Sequence, residues 1–180
     1  TATDLGLEGI KDPWVLEENG KYYLFLSVAI DTTTTKNTSH DTLDIFNTGE
    51  CISATALATS EDLDNWEFQG VILKPEGDIA WDKYCRRINS VLPLNGKYYA
   101  FYDGSEGHHQ NYEERTGLAV STDLKNWEIL SPDEPCITSP YTTGSLRYID
   151  AQHHEGKIRF MYELTRANGA HEMRATVFAA

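Results

Sequence analysis

"NGKYYLF", Asn19–Phe25, returns as "NGKYYAF", Asn95–Phe101, with six of seven letters kept at a distance of 76 residues. The neighbourhood repeats as well. "ATSEDLDNWE", Ala58–Glu67, returns as "AVSTDLKNWE", Ala119–Glu128, and "EGKIRFMYE", Glu155–Glu163, is a weaker third copy of the first element. Each Ser-x-Asp-Leu segment follows its own NGKYY segment. Repeats at this period point to a solenoid, a propeller or a tandem array before any other fold. The wider first spacing is accounted for by the polar stretch "DTTTTKNTSHDTLD", Asp31–Asp44, read as a loop insertion.

Asn-Gly is a tight-turn dipeptide because both residues tolerate positive φ. Here it joins a short apolar run ("PWVLEE" or "SVLPL") to an aromatic one ("KYYLFLSV" or "KYYAFYDG"), which reads as a hairpin. In the first aromatic run Tyr22, Tyr23, Leu24, Phe25 and Leu26 are consecutive, so both faces of that strand are expected to be covered. A third strand, "ISATALAT" or "GLAVST", follows. Asp-Leu-x-Asn then makes a turn, and Trp66 or Trp127 opens a fourth strand. No segment keeps a helical period. The expectation is an all-β chain of three propeller blades, at roughly 8–75, 84–135 and 144–180, the last without a clear final strand. A β-sandwich competes, but it leaves the repeats unexplained.

The chain has 180 residues, 40% hydrophobic, and a net charge of −13. That charge excludes a phosphate-binding surface and so a nucleic-acid partner, and it suits an anionic membrane poorly. No apolar run approaches the ~18 residues of a spanning helix. Three cysteines without CxxC spacing read as ordinary thiols. Asn37-Thr38-Ser39 is a glycosylation sequon of a common kind. The chain shows neither a signal peptide nor an initiator Met, as a processed or excised piece would, and its compartment stays unassigned.

"KDPWVLEENGKYYLFLS" followed by "ATSEDLDNWE" resembles the blades of the five-bladed propeller glycosidases, among them glycoside hydrolase families 43 and 32 and the arabinanase, levansucrase and phosphorylase groups. The resemblance covers the whole chain as architecture. It implies a carbohydrate partner, no cofactor beyond a structural cation at the axis, and carboxylates on the innermost strands. Glycoside hydrolysis uses two of them across the scissile bond. Asp12, in Asp-Pro, is implied as base, nucleophile or transition-state stabiliser, against the plainer reading of a turn cap before Pro13.

Repeat two departs from that pattern. "YCRRINSV" puts Arg86, Arg87 and Asn89 where an acid is expected. Arg86 and Asn89 become candidate substrate ligands, and Arg147, in "GSLRYIDA", a third, with an Arg147–Asp150 pair as the structural alternative. Candidates for the missing proton donor are Glu8, Asp103, Glu163 and one of Glu113 and Glu114. In an extended chain these two face opposite ways, and Arg115 stands ready to neutralise whichever reaches the site. Asp103 doubles as a substrate ligand. Trp14, Trp81, Tyr112 and Tyr141 offer faces for sugar stacking, although most propeller aromatics are core. His108-His109 and His153-His154 give at most one metal ligand per pair, so no metal site is expected; His171 and His40 are candidates to line a central channel, which the sequence alone does not place.

Two functions fit: a glycosidase, or a non-catalytic carbohydrate-binding or structural propeller segment. Three blades leave an apolar blade face and an edge strand open at each end. The ring is therefore expected to be completed by a second copy, as a homodimer, or by a missing segment of the same protein.

Overall fold

The computed structural model describes residues 1–30 and 44–179. His40, the sequon at Asn37 and most of the polar insertion lie outside them. The described chain is all-β, with three short 3-10 turns and eleven strands. Blade one comprises β1 (Gly9–Glu18), β2 (Lys21–Ile30), β3 (Ile52–Ser60) and β4 (Glu67–Leu73). Blade two comprises β5 (Cys85–Leu94), β6 (Lys97–Ser105), β7 (Arg115–Ser121) and β8 (Glu128–Ile129). Blade three has β9 (Leu146–His154), β10 (Lys157–Thr165) and β11 (His171–Ala179). Within each blade, neighbours pair antiparallel in chain order. One parallel bridge, Ser53 to Cys85, joins blade one to blade two.

The repeated letters do repeated physical work. Asn19-Gly20, Asn95-Gly96 and Glu155-Gly156 all have positive φ at both positions, the turn whose twist matches a hairpin. The two Ser-x-Asp-Leu-x-Asn turns agree bond for bond. Ser60 Oγ accepts from the amide of Leu63, and Asp62 from the amides of Asp64 and Asn65. Ser121 and Asp123 do the same for Leu124, Lys125 and Asn126. Those bonds, led by the Asn65 side chain at Asp62 and the Asn126 amide at Asp123, hold both carboxyls far below the usual range.

Blades one and two close on Phe25, Leu57, Ile88, Val91, Tyr102 and Leu124, with Trp14 and Trp127 packed alongside. Blades two and three close on Leu92, Phe101, Leu146, Ile149 and Leu164. A hydrogen-bonded latch recurs at both seams. Thr55 Oγ1 donates to the carbonyl of Arg86 at 3.0 Å, and Thr116 Oγ1 to that of Leu146 at 2.7 Å. Both threonines are fully buried. They open a shared Thr-x-Leu-Ala-x-Ser string that the longer repeats conceal.

The outward face of blade one is partly capped. Leu7 and Ala2 of the N-terminal segment pack on Val28, Ala54 and Ala56. The open-face expectation made no allowance for such a cap. Val15, Leu63 and Val71 remain exposed in this blade, and Met161, Met173, Val177 and Phe178 in blade three.

Candidate functional site

The first strands of successive blades face one another, and each carries a bulge at the same height. In β1 the pairs Lys11–Ser27 and Trp14–Phe25 leave Asp12 and Pro13 opposite a single residue. In β9 the pairs Arg147–Glu163 and Asp150–Met161 leave Tyr148 and Ile149 likewise. In β5 the extra residue is Asn89. A bulge tolerates a proline, which has no amide proton for the ladder, and it re-aims the side chains beside it. Asp12 and Tyr148 sit there at φ 49° and 55°, backbone conformations rare for non-glycine residues and a common mark of functional sites.

A basic residue stands shortly before each bulge: Arg87 and Arg147 turn into the cluster, whereas Lys11 lies over the Phe46 ring at 4.3 Å and meets Asp44 at 4.0 Å. The two arginines organise a chain of ion pairs across all three blades. Arg87 Nη1 meets Asp12 Oδ2 at 3.2 Å, and its Nη2 meets Asp103 Oδ2 at 2.7 Å and Glu114 Oε1 at 3.6 Å. Arg147 Nη1 meets the other oxygen of Glu114 at 2.9 Å, and its Nε meets Glu163 at 2.7 Å. His171 continues the chain, between Glu163 at 2.9 Å and Glu113 at 3.1 Å. Glu113 also accepts from the hydroxyls of Thr143 and Thr165. The ring of Tyr148 lies under both guanidiniums, at 5.0 and 4.7 Å from its centroid, and its amide donates to Asp103 Oδ1. That amide bond and the two stacked cations offset the strain at Tyr148.

The five carboxylates are not equivalent. Asp103 is fully buried, and burial pushes its carboxyl up to about 6 against the pull of Arg87. Burial also acts upward on Glu113, but Thr143, His171 and Thr165 outweigh it and hold the group below its ordinary value. Glu114 is buried, with an arginine on each oxygen. Glu163 is shared between Arg147 and His171. The Asp12 side chain is 47% exposed, the most open of the set. Beside the cluster is a pocket of about 10 Å³ lined by Lys11, Tyr84, Arg87 and Glu114, room for one water rather than a sugar ring. Arg87 Nε and the Tyr84 hydroxyl, both buried, have no hydrogen-bond partner among the described residues.

Of the candidates read from sequence, the structure gathers Asp12, Asp103, Glu114, Arg147, Glu163 and His171. It leaves others apart. Arg86 turns away into the seam between blades one and two. It binds the fully buried Asp82 through two nitrogens at 2.8 and 2.9 Å, while Tyr102 donates to the same carboxylate at 2.7 Å. Adjacent strand residues face opposite ways, so only one arginine of the pair reaches the axis, and it is Arg87. Asn89 Nδ2 is buried without a hydrogen-bond partner among the described residues. Glu8 precedes β1, is largely buried, and its amide donates to Ala29, outside this network. Trp14 packs against Phe25 in the seam, and Trp81 stacks on Tyr102, so both serve the core. Tyr112 is exposed near Arg147, at 5.8 Å, whereas Tyr141 lies by Arg166 and Arg174.

Two expectations about pairing are corrected. Arg147 binds Glu114 and Glu163, not Asp150, whose carboxylate takes the Gln152 side chain. Glu113 and Glu114 both enter the network, because Tyr112, at φ 68°, turns the chain just before them and they precede β7 instead of extending it. Tyr148 escaped the sequence reading, although its place one residue after Arg147 matches the step from Lys11 to Asp12. His108 rests against Tyr84, and His154 against Glu155 on the surface. Among the described residues no group of three or more His, Cys, Asp and Glu is arranged to hold a metal ion.

No protein-family description and no curated protein matches the sequence. Solved structures do. A family 117 glycoside hydrolase from the marine bacterium Zobellia galactanivorans superposes with a TM-score of 0.72 at 17% identity, over 94% of this chain and 52% of that one. Sucrose-6-phosphate hydrolase from Lactobacillus gasseri gives 0.64 at 17%, over 94% and 32%. A family 32 beta-fructofuranosidase from Bombyx mori gives 0.61 at 19%, over 93% and 33%. The chain thus spans between a third and about half the length of these structures. At such identities the likeness shows the fold. The three blades of this chain superpose on part of the five-bladed propellers of those glycoside hydrolases.

Proposed function

We propose that this chain supplies the sugar-facing part of a glycoside hydrolase, with Asp12 as the carboxylate that meets the scissile bond as base, nucleophile or transition-state stabiliser. One observation carries the reading. In a network of five carboxylates, Asp12 alone is half open to solvent, and it is held by a bulge, a positive φ and Arg87. The exposed faces of Tyr112 and Tyr148 flank the same cluster and offer stacking surfaces for a sugar. Arg87 and Arg147 have their charge met by carboxylates already, so a neutral sugar fits better than a uronic acid.

Hydrolysis also needs a proton donor. Among the described residues, Asp103 has the raised affinity for a proton that such a donor requires, but it is buried against Arg87 and Tyr148. We place the donor on a further segment that completes the ring, whether of the same protein or of a second copy. The test is turnover of a panel of aryl glycosides and plant oligosaccharides by the intact assembly. Asp12→Asn is expected to lower kcat by 10²-fold or more, on the order of other general acid–base residues. Absence of turnover on every substrate sinks the proposal.

The enclosure of Asp103 and Glu114 favours a second reading, a non-catalytic carbohydrate-binding propeller. Glycan binding that survives in Asp12→Asn, with no turnover in either protein, selects it.

A further inference from the structure

From the serine to the asparagine the two Ser-x-Asp-Leu-x-Asn turns make the same hydrogen bonds, yet Leu63 is 49% exposed and Leu124 is 2% exposed. Trp66 Nε1 donates to the Leu63 carbonyl, whereas Trp127 Nε1 is buried with no partner among the described residues. The difference is the neighbouring blade. Leu124, with Trp127 and Ile129, fills the wedge between blades one and two, where Trp127 meets the edge of Phe25 at 6.3 Å. The stretch after a blade's third strand therefore plugs the seam with the preceding blade.

Blade three has the seam without the plug. Among the described residues β11 pairs only with β10, so its far edge is free. Aligning the hairpin lysines Lys97 and Lys157 sets Ala119 against Thr176 and Ser121 against Phe178. Ile129 pairs with Ala119, so its counterpart belongs opposite Thr176. At that place lies an apolar groove of about 140 Å³, bordered by Ile137, Ile149, Phe160, Tyr162, Thr176 and Phe178. Its floor is continuous with the core between blades two and three, to which Ile149, Phe160 and Tyr162 belong. Phe178, 53% exposed, stands edge-on to Phe160 at 5.8 Å.

We propose that this groove receives a fourth strand: an extended segment with the pattern Asp-Leu-x-x-Trp-x-Ile. It adds to the free edge of β11 and lays its leucine and tryptophan over Phe160 and Phe178. Main-chain pairing with an edge supplies affinity, and the alternate apolar side chains supply choice. Blade two shows the same chemistry in place, which fixes the kind of occupant. A sugar does not fit, because the walls are almost wholly apolar.

The experiment uses this chain's own plug. A labelled peptide with the sequence of residues 119–130 is titrated into the whole protein, beside a peptide with alanine at the positions of Leu124 and Trp127. Saturable binding is expected, weakened roughly tenfold or more by the two alanines, as for central apolar anchors. Phe178→Asp in the protein is expected to weaken the unaltered peptide as much. Equal binding of both peptides, or none, overturns the proposal. So does a dimer that Phe178→Asp dissociates, since a second copy would then own the groove.

Discussion

Arg87→Met is the substitution that tests the electrostatic account of the axis. Met keeps the apolar stem of the side chain without its charge, so two buried carboxylates and the open Asp12 lose a cation. Asp103 is fully buried and Glu114 is 5% exposed, while Asp12, the third partner, is wet. Removing one member of a buried ion pair costs about 3–5 kcal/mol, because the remaining charge keeps its desolvation penalty. That is a large share of the roughly 5–15 kcal/mol that stabilises a domain. With an m value of about 2 kcal/mol/M the urea midpoint falls by about 1.5–2.5 M.

The sign of the pH dependence follows from Asp103. Its folded carboxyl already titrates at about 6, above the ordinary 3.8, so the native state takes up a proton more readily than the unfolded chain between those values. Without Arg87 the folded value rises further. The stability deficit of the variant is therefore greatest near pH 8 and shrinks as the pH falls toward 4. Adding Asp103→Asn to Arg87→Met is expected to recover part of the loss at pH 8 and little at pH 4. Urea unfolding of the four proteins of the cycle at both pH values is the assay. A loss below about 1 kcal/mol at pH 8, or one independent of pH, refutes the claim that Arg87 holds buried charge.

Asp12→Asn, by contrast, is expected to cost less than about 1 kcal/mol in the same unfolding assay, as for an exposed partner of an ion pair; a larger loss would mark Asp12 as scaffold. Gly117→Ala puts a Cβ at 2.1 Å from Tyr102 Cζ. That ring is stacked on Trp81 and bonded to Asp82, so it has nowhere to go; a loss of about 3 kcal/mol or more is expected, and a Tm within a degree of the parent contradicts it. Tyr102→Phe removes one of three donors to the buried Asp82, with an expected cost of about 1–3 kcal/mol by thermal unfolding.

The blades themselves were written in the sequence. Asn-Gly at two hairpins, Gly at the third, and Ser-x-Asp-Leu-x-Asn at two turns are local chemistry. Each motif closes its own hydrogen bonds within a few residues, so it folds the same way wherever it stands. Asp12 was singled out through the resemblance to propeller glycosidases, and the bulge that holds it came only with the structure, although a proline without an amide proton suits such a break in the ladder.

What lay beyond the sequence was every choice that depends on a facing blade. The letters "RR" guarantee that Arg86 and Arg87 point opposite ways, but not which of them meets the axis. That was settled by where Asp82 and Tyr102 sit in one direction and Asp103 and Glu114 in the other. Glu113 and Glu114 looked like alternatives only while the chain there was taken as extended. Tyr148 carries no signal of its own, since its role comes from two arginines and an aspartate brought in by three different strands. The same cause separates Leu63 from Leu124. Their local sequences dictate one turn, and burial of the leucine then depends on whether another blade stands beside it, which no local rule can specify.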